Sequence, residues 1–295
     1  MPAPFTVAQP GPLLASLFEA WPSEKKKQIR TWLKHQSVTV NTRPVSQFDH
    51  ALNVGDTVAI RGDRFAIPKT VVGAGIKIYF EDAHILVIDK PANLLSIASE
   101  AEPEKTAYFQ LTEYLRQGQA KAKERVWIVH RLDRETSGLM IFAKTPHAKE
   151  TLQTGWDQAE KKYEAVVENR MKTLSGTFSS HLDETNPYKV HSAPESDQTR
   201  HAVTHYRVLD RSTWRTLVEL TLETGRRHQI RVHLSDIGHP IIGDIKYGSV
   251  SDPAKRLGLH ATSLRFPHPV TGQEMSFTSP LPKLLANLFA KNVRD

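Results

Sequence analysis

The sequence predicts an α+β fold with a mixed, largely antiparallel sheet, preceded by a small α/β unit. Three observations predict it. From residue 76 onward, strand-like stretches follow one another, with helical periodicity only around Thr106 to Arg116 and Pro146 to Glu160. The first sixty residues carry a pattern of their own, two helices and a hairpin. Between the two parts, DRFAIPKTVVGAG has the Pro and Gly content of a linker. The expected division is a domain over residues 1–66 and a larger one over 76–295.

In the small unit, Leu, Phe and Trp mark a first helix after Pro12. The second helix lies in SEKKKQIRTWLKHQ, where Ile29, Trp32 and Leu33 recur at three- and four-residue spacing. Lys26, Lys27 and Arg30 fall on the other face, which is basic. Taken alone, such a face is often just a solvated charged surface. SVTVNTRPV alternates and turns at Asn41-Thr42, and GDTVAIRG supplies a further strand. The lone Gly73-x-Gly75 lacks a third glycine and a following Lys-Ser/Thr, so it reads as a hinge and not as a phosphate loop. Beyond it the strands are expected in IKIYFEDAHILVIDK, RVWIVH, LMIFAKT, YEAVV, HYRVLD, TLVELTL and IRVHL.

Composition narrows the function. With 39 Lys+Arg against 32 Asp+Glu, the chain carries a net charge of +7, which suits a polyanionic partner. There is no cysteine, which excludes disulfides, thiolate zinc sites and thiol nucleophiles. MPAPFTVAQPGPLLASLFEAWP lacks the cationic start and apolar run of a signal peptide, and no later segment approaches the roughly twenty apolar residues of a membrane span. The expectation is a soluble cytoplasmic protein without membrane contact. Oligomeric state is not encoded in any recognisable pattern, and a monomer is assumed.

The stretch HRLDRETSGL places Asp133 between Arg131 and Arg134, on a connection supported by strands on both sides. A surface ion pair or a capped turn would account for it in isolation. Far along the chain, however, TGRRHQIRVHL gathers Arg226, Arg227, His228, Gln229, Arg231 and His233. Read as a strand, it points Gln229, Arg231 and His233 to one face, where a buried guanidinium needs an anion. Asp133 is expected to be that partner for Arg231, and the pairing is expected to lower its pKa and keep it ionised for nucleophilic or basic work.

HRLDRETSGLMIFAKT, KKYEAVV, TGRRHQIRVHLSDIGHPIIGDIKYG and LGLHATSLRFPHPVTG, together with FEDAHILVIDKPANLLS, resemble in order and spacing the motif blocks of the RluA-type RNA pseudouridine synthases. The resemblance covers nearly all of residues 76 to 280. It implies a catalytic domain with a central cleft that isomerises uridine in RNA to pseudouridine, with no cofactor and no metal. By the same resemblance Asp133 is the catalytic aspartate, Tyr163 the aromatic that stacks on the target base, and Arg231 the arginine paired with the aspartate. Arg131 corresponds to the residue that enters the RNA in place of the extruded nucleotide, while Leu132 and Ile230 pack. The first fifth of the chain is similar to the small S-four RNA-binding domain, although Gln36 and Thr42 stand where that family usually has glycines. That likeness makes Lys26, Lys27 and Arg30 candidate RNA contacts, alongside Arg226 and Arg227, and favours ribosomal over transfer RNA. In the catalytic blocks Asn93 and Asn169 replace usual glycines, and asparagine is the residue that best tolerates the positive φ those turns require.

Two other classes compete. A non-catalytic ribosome-assembly protein would bind RNA without turnover, yet Asp133, Tyr163 and Arg231 are all present. A metal-dependent hydrolase would need a ligand set such as His201 and His205 in HAVTH, but their neighbours favour a strand and the His-Glu-x-x-His pattern is absent.

Overall fold

The computed structural model describes residues 2–34, 38–41, 43–45, 47–60, 70–98, 102–116 and 123–290. The positions of Gln36 and Thr42, and most of the expected linker, lie outside the described residues.

The N-terminal unit has its own core. Helix α1 (Leu13–Ala20) and helix α2 (Lys26–Lys34) accompany a four-stranded sheet in the order Phe5–Thr6, Thr57–Ile60, Val38–Val40, Arg43–Val45. Leu13, Leu17, Trp21, Ile29, Leu33, Val38 and Val58 form one buried cluster. The spacing of α2 does what the sequence expects: Ile29 and Leu33 are buried, while Lys26, Lys27 and Arg30 are exposed. Lys26 and Arg30 both lie over the ring of Phe18, at 5.5 and 5.2 Å from its centroid. Asn41 takes φ 49° at the turn after Val40. Its side chain donates to Asp56 Oδ1 at 2.6 Å and accepts from the Thr57 N–H at 2.9 Å, which ties the hairpin to the neighbouring strand.

The larger unit is a twelve-stranded mixed sheet with few helices. Its central order runs Thr199–Arg211, Arg215–Leu222, Glu160–Glu168, Leu259–Pro267, Ser137–Ala143, Ile85–Lys90 and Ile76–Glu81. Each of these pairs is antiparallel except Ser137–Ala143 beside Leu259–Pro267, which is parallel. Ser137–Ala143 is buried along its whole length, as a strand covered on both faces must be. One face packs on helices α3 (Ala107–Arg116) and α5 (Gln229–Asp236), through Leu111, Ile230 and Leu234. The other packs on helix α4 (Pro146–Thr154) through Ala148 and Leu152. Thr145 caps α4 by accepting from the Ala148 N–H at 3.1 Å, and Pro146 occupies the first turn, where its missing donor costs nothing.

At the parallel seam the strands come unusually close. Gly138 has φ +117°, and a Cβ there would lie 2.3 Å from the carbonyl oxygen of Ala261, so only glycine fits.

Three expectations need correction. IRVHL is not a strand but the core of α5, so Gln229, Arg231 and His233 do not share a face in the way alternation implied. Residues 229 to 234 are all buried, and their alternation of polar and apolar types records partners on every side instead of a wet face and a dry one. RVWIVH contributes only Trp127–Ile128 as strand. The helix from Pro146 ends at Thr154, a 3-10 turn covers Trp156–Gln158, and a strand begins at Glu160. The two asparagine turns form as expected, with φ 64° at Asn93 and 66° at Asn169. No helix among the described residues is long and apolar enough to cross a membrane.

Candidate active site

The segment between the strands Trp127–Ile128 and Ser137–Ala143 carries Asp133 and is fastened from four directions. Before it, His130 Nε2 accepts the Ile141 N–H at 3.1 Å while its ring stacks on Trp156 at 4.4 Å. Burial pushes its pKa down to about 3, so the imidazole is neutral and able to accept. Ser96 Oγ donates to the Leu132 carbonyl at 2.6 Å and accepts the Leu132 N–H at 3.2 Å. The Lys90 amine, fully buried, donates to the carbonyls of Pro91, Leu94 and Arg134 at 3.1, 2.7 and 3.2 Å. Burial lowers its pKa to about 7, against the pull of Asp133. After it, Ser137 Oγ meets His260 Nδ1 at 2.7 Å and accepts from Arg256 at 2.5 Å. A carboxylate on a loop so held keeps its position without any help from substrate.

Asp133 opens into a cleft whose lining includes Arg131, Tyr163, Arg226, His228, Ile230 and Arg231. The strand Glu160–Glu168 delivers Tyr163; the residue is 9% exposed and packs in the main core. Burial raises its phenol pKa and Asp133 raises it further, so it stays a neutral ring. Arg131 is exposed and lines the cleft. Leu132 and Ile230 are buried packing residues as expected.

Arg231 reaches Asp133, with Nη1 3.6 Å from Oδ2. Its principal partner, however, is Asp244, which the sequence reading overlooked: Nε donates to Oδ2 at 2.7 Å and Nη2 to Oδ1 at 2.8 Å, both residues being buried. Nη1 also lies 3.4 Å from Glu135 Oε2, and the guanidinium sits 5.0 Å from the centroid of Tyr247. Three carboxylates therefore hold it protonated. The expected pKa of Asp133 is corrected in sign: burial raises it, Arg231 pulls it back only in part, and Glu135 pushes it up again. A raised carboxylate is the more basic one, which favours proton removal or attack.

The other cations divide. Arg226 is exposed on the cleft, its Nε donating to the His201 carbonyl at 3.1 Å. The Arg227 guanidinium turns away and donates to the carbonyls of Glu184 at 2.9 Å, Pro187 at 3.0 Å and Asn186. It tethers that loop and does not line the cleft. Gln229 and His233, four apart on α5, both reach Thr204 Oγ1, at 2.9 and 3.0 Å. Besides Asp244, sequence reasoning missed Lys90, Ser96, His130 and Tyr247. A lysine closing the apolar run ILVIDK and a histidine beside the Arg-Leu-Asp stretch were the available signals.

A buried carboxylate, a buried aromatic ring and an exposed arginine in one cleft on a mixed sheet define an RNA-modifying isomerase of the pseudouridine synthase class. The family profile described as RNA pseudouridylate synthase matches residues 84–236, and the chain belongs to the RluA-type family of those enzymes, which isomerise uridine in RNA. Ribosomal large subunit pseudouridine synthase D of Escherichia coli O6:H1 is 34% identical over 294 residues, covering 92% of this chain and 88% of its own. The protein named "Uncharacterized RNA pseudouridine synthase YhcT" of Bacillus subtilis is 34% identical over 290 residues, covering 95% of this chain and 93% of its own. Among solved structures, human RNA pseudouridylate synthase domain containing 4 superposes with a TM-score of 0.58 at 26% identity, over 71% of this chain and 90% of that one.

Proposed function

We propose that this isomerase modifies uridine in large-subunit ribosomal RNA, with Asp133 as the group that acts on the ribose. The observation that carries the site assignment is the convergence of Asp133, Tyr163, Arg131 and Arg231 on one cleft. The choice of RNA rests on the relatives named for the ribosomal large subunit and on the basic helix α2. We read residues 1–66 as an S-four-like RNA-binding domain, residues 76–295 as the catalytic domain, and the protein as a cytoplasmic one.

The substrate bond joins ribose to nitrogen 1 of uracil, and the product bond joins it to carbon 5 of the same ring. The base must detach, turn and reattach, which a stacked duplex forbids, so the nucleotide is flipped out at a cost of a few kcal/mol. Tyr163 offers the flipped base a stacking surface and is placed to assist loss of the carbon 5 proton. Arg131 fills the space that the nucleotide leaves in the RNA. Asp133 then either attacks the anomeric carbon or removes a proton from the neighbouring ribose carbon; both routes need its basic form and both free the uracil to rotate. Arg231 counters the charge of Asp133. Lys26, Lys27 and Arg30 on α2, and Arg226 beside the cleft, meet phosphates.

The test is release of the carbon 5 hydrogen, as tritium, from labelled ribosomal and transfer RNA by the wild-type protein and by Asp133→Asn. Release from ribosomal RNA that vanishes in the variant is the expected result. Release from transfer RNA alone would overturn the choice of substrate, and undiminished release by Asp133→Asn would overturn the role of the aspartate.

A further inference from the structure

His228 stands immediately before α5 with φ 53° and ψ 15°, the left-handed region that a histidine enters at a cost. Its ring lies between Tyr247 and Asp133. Nδ1 lies 2.7 Å from the hydroxyl of Tyr247, and that hydroxyl accepts the Val190 N–H at 3.0 Å. Tyr247 is 5% exposed, so its own hydrogen needs an acceptor inside the protein. Of the two groups that meet that oxygen, the Val190 N–H cannot accept, which leaves Nδ1 of His228. The proton of the imidazole is thereby placed on Nε2.

Nε2 faces Asp133, 3.9 Å from Oδ2, and the Arg231 Nη1 approaches the same oxygen at 3.6 Å. Two N–H groups thus flank one oxygen of the carboxylate. The other oxygen is left for the ribose. Both distances exceed a hydrogen bond, as is common in catalytic sites before substrate tightens them. His228 is neutral, its pKa pushed down to about 3 by burial and by Arg231, so it orients Asp133 without cancelling its charge.

We propose that His228 is a positioning residue for Asp133, its proton fixed on Nε2 by Tyr247 so that it donates to Oδ2 and presents Oδ1 to the sugar. This inference rests on the reading of Asp133 as the group that acts on ribose. Tyr247 serves it twice, as the setter of the tautomer and as the ring beneath Arg231.

The experiment is single-turnover tritium release at saturating ribosomal RNA, with half-saturation concentration and thermal melting measured on the same samples. Leucine and glutamine both strain the left-handed backbone, but only glutamine can place an N–H near the position of Nε2. His228→Leu is expected to slow the rate on the order of 10- to 100-fold, the size of one hydrogen bond to a charged group, with half-saturation within about threefold. His228→Gln is expected to recover most of that loss at an unchanged melting temperature. Tyr247→Phe keeps the ring and releases the tautomer; it is expected to slow the wild type several-fold and the His228→Leu protein not at all. Equal rates for the Leu and Gln variants, a loss confined to half-saturation, or a Tyr247→Phe effect of equal size in both backgrounds would overturn the proposal. If Asp133→Asn retains full activity, the reading of Asp133 fails first, and that outcome is distinct from an inactive Asp133→Asn beside an unaffected His228→Leu.

Discussion

Arg231 holds Asp244 with two hydrogen bonds, at 2.7 and 2.8 Å, and offers Asp133 only its remaining nitrogen at 3.6 Å. The tight pair positions the guanidinium, and the loose pair leaves the carboxylate available to substrate. Removing one member of a buried ion pair strands the other, a loss of about 3 to 5 kcal/mol. Asp244→Ala is therefore expected to lower stability by that order in urea melts and to slow tritium release, although Asp244 does not line the cleft. A variant that melts like wild type would refute the assignment of Asp244 as the anchor.

Asp133 is expected to behave in the opposite way. Burial raises its pKa, so folding with the charge in place costs stability at neutral pH, and the neutral isostere relieves that cost. Asp133→Asn should melt at or above the wild-type temperature at pH 7 while turnover is lost. A lower melting temperature would contradict this.

Glu135 pushes the Asp133 pKa upward. In Glu135→Gln that push is gone, so the acid limb of the rate profile is expected to move to lower pH. Glu135 is 42% exposed, so water screens it and the shift should be small. Single-turnover rates between pH 4.5 and 7 report it, and a limb that moved to higher pH would be the contrary sign.

His130 and His260 both have folded-state pKa values pushed down to about 3 by burial. The unfolded chain takes up protons on these residues near pH 6.5, whereas the folded protein refuses them. Stability should accordingly fall as pH drops from about 7 toward 4, by about 1.4 kcal/mol per unit for each histidine once well below 6.5. Urea midpoints at pH 7, 6 and 5 test this, and replacement of His260 by glutamine should flatten the curve by its share. Midpoints independent of pH would show that neither ring is held neutral.

The charges on α2 should act on affinity alone. Charge reversal at Lys26, Lys27 and Arg30 is expected to weaken RNA binding steeply and to reduce its salt dependence, with the rate at saturating RNA nearly intact. Loss of the contacts between Phe18 and its two cations should cost only about 0.5 to 1 kcal/mol each. Unchanged affinity across a salt titration would remove the RNA-binding role of this helix.

Gly138→Ala is a test of the seam. Its Cβ would meet the Ala261 carbonyl at 2.3 Å on a backbone at φ +117°, so both sterics and conformation oppose it. The variant should be destabilised by several kcal/mol, on the order of 3 or more, and circular dichroism melts would detect it. A near-neutral effect would mean that the two strands can part.

The features legible in the sequence were those whose cause is local. Helical periodicity from Pro146 announced α4, asparagines announced two left-handed turns, and strand, turn and strand around Asp133 announced a working loop. Helix α5 was misread because its alternation arises from buried polar side chains with separate partners, Arg231 toward Asp244 and Gln229 and His233 toward Thr204. Asp244 could not be found by spacing, since its pairing depends on how the loop after α5 folds back. Lys90 ends an apolar strand, and the three carbonyls that receive its amine come together only in the folded sheet. The sign of the Asp133 pKa was missed for a related reason: charge partners can be guessed from a sequence, but the depth of burial that outweighs them cannot.

Leu259–Pro267, among the last strands in the chain, is inserted between Ser137–Ala143 and Glu160–Glu168. The strand that follows the Asp133 segment and the strand that carries Tyr163 are thus made early, yet they are joined through a strand synthesised about a hundred residues later. On the ribosome they must wait, with their inner edges unpaired, until that strand emerges and zips both sides together. The enzyme can therefore have no working cleft while its own chain is still short of Leu259–Pro267, the strand that completes it.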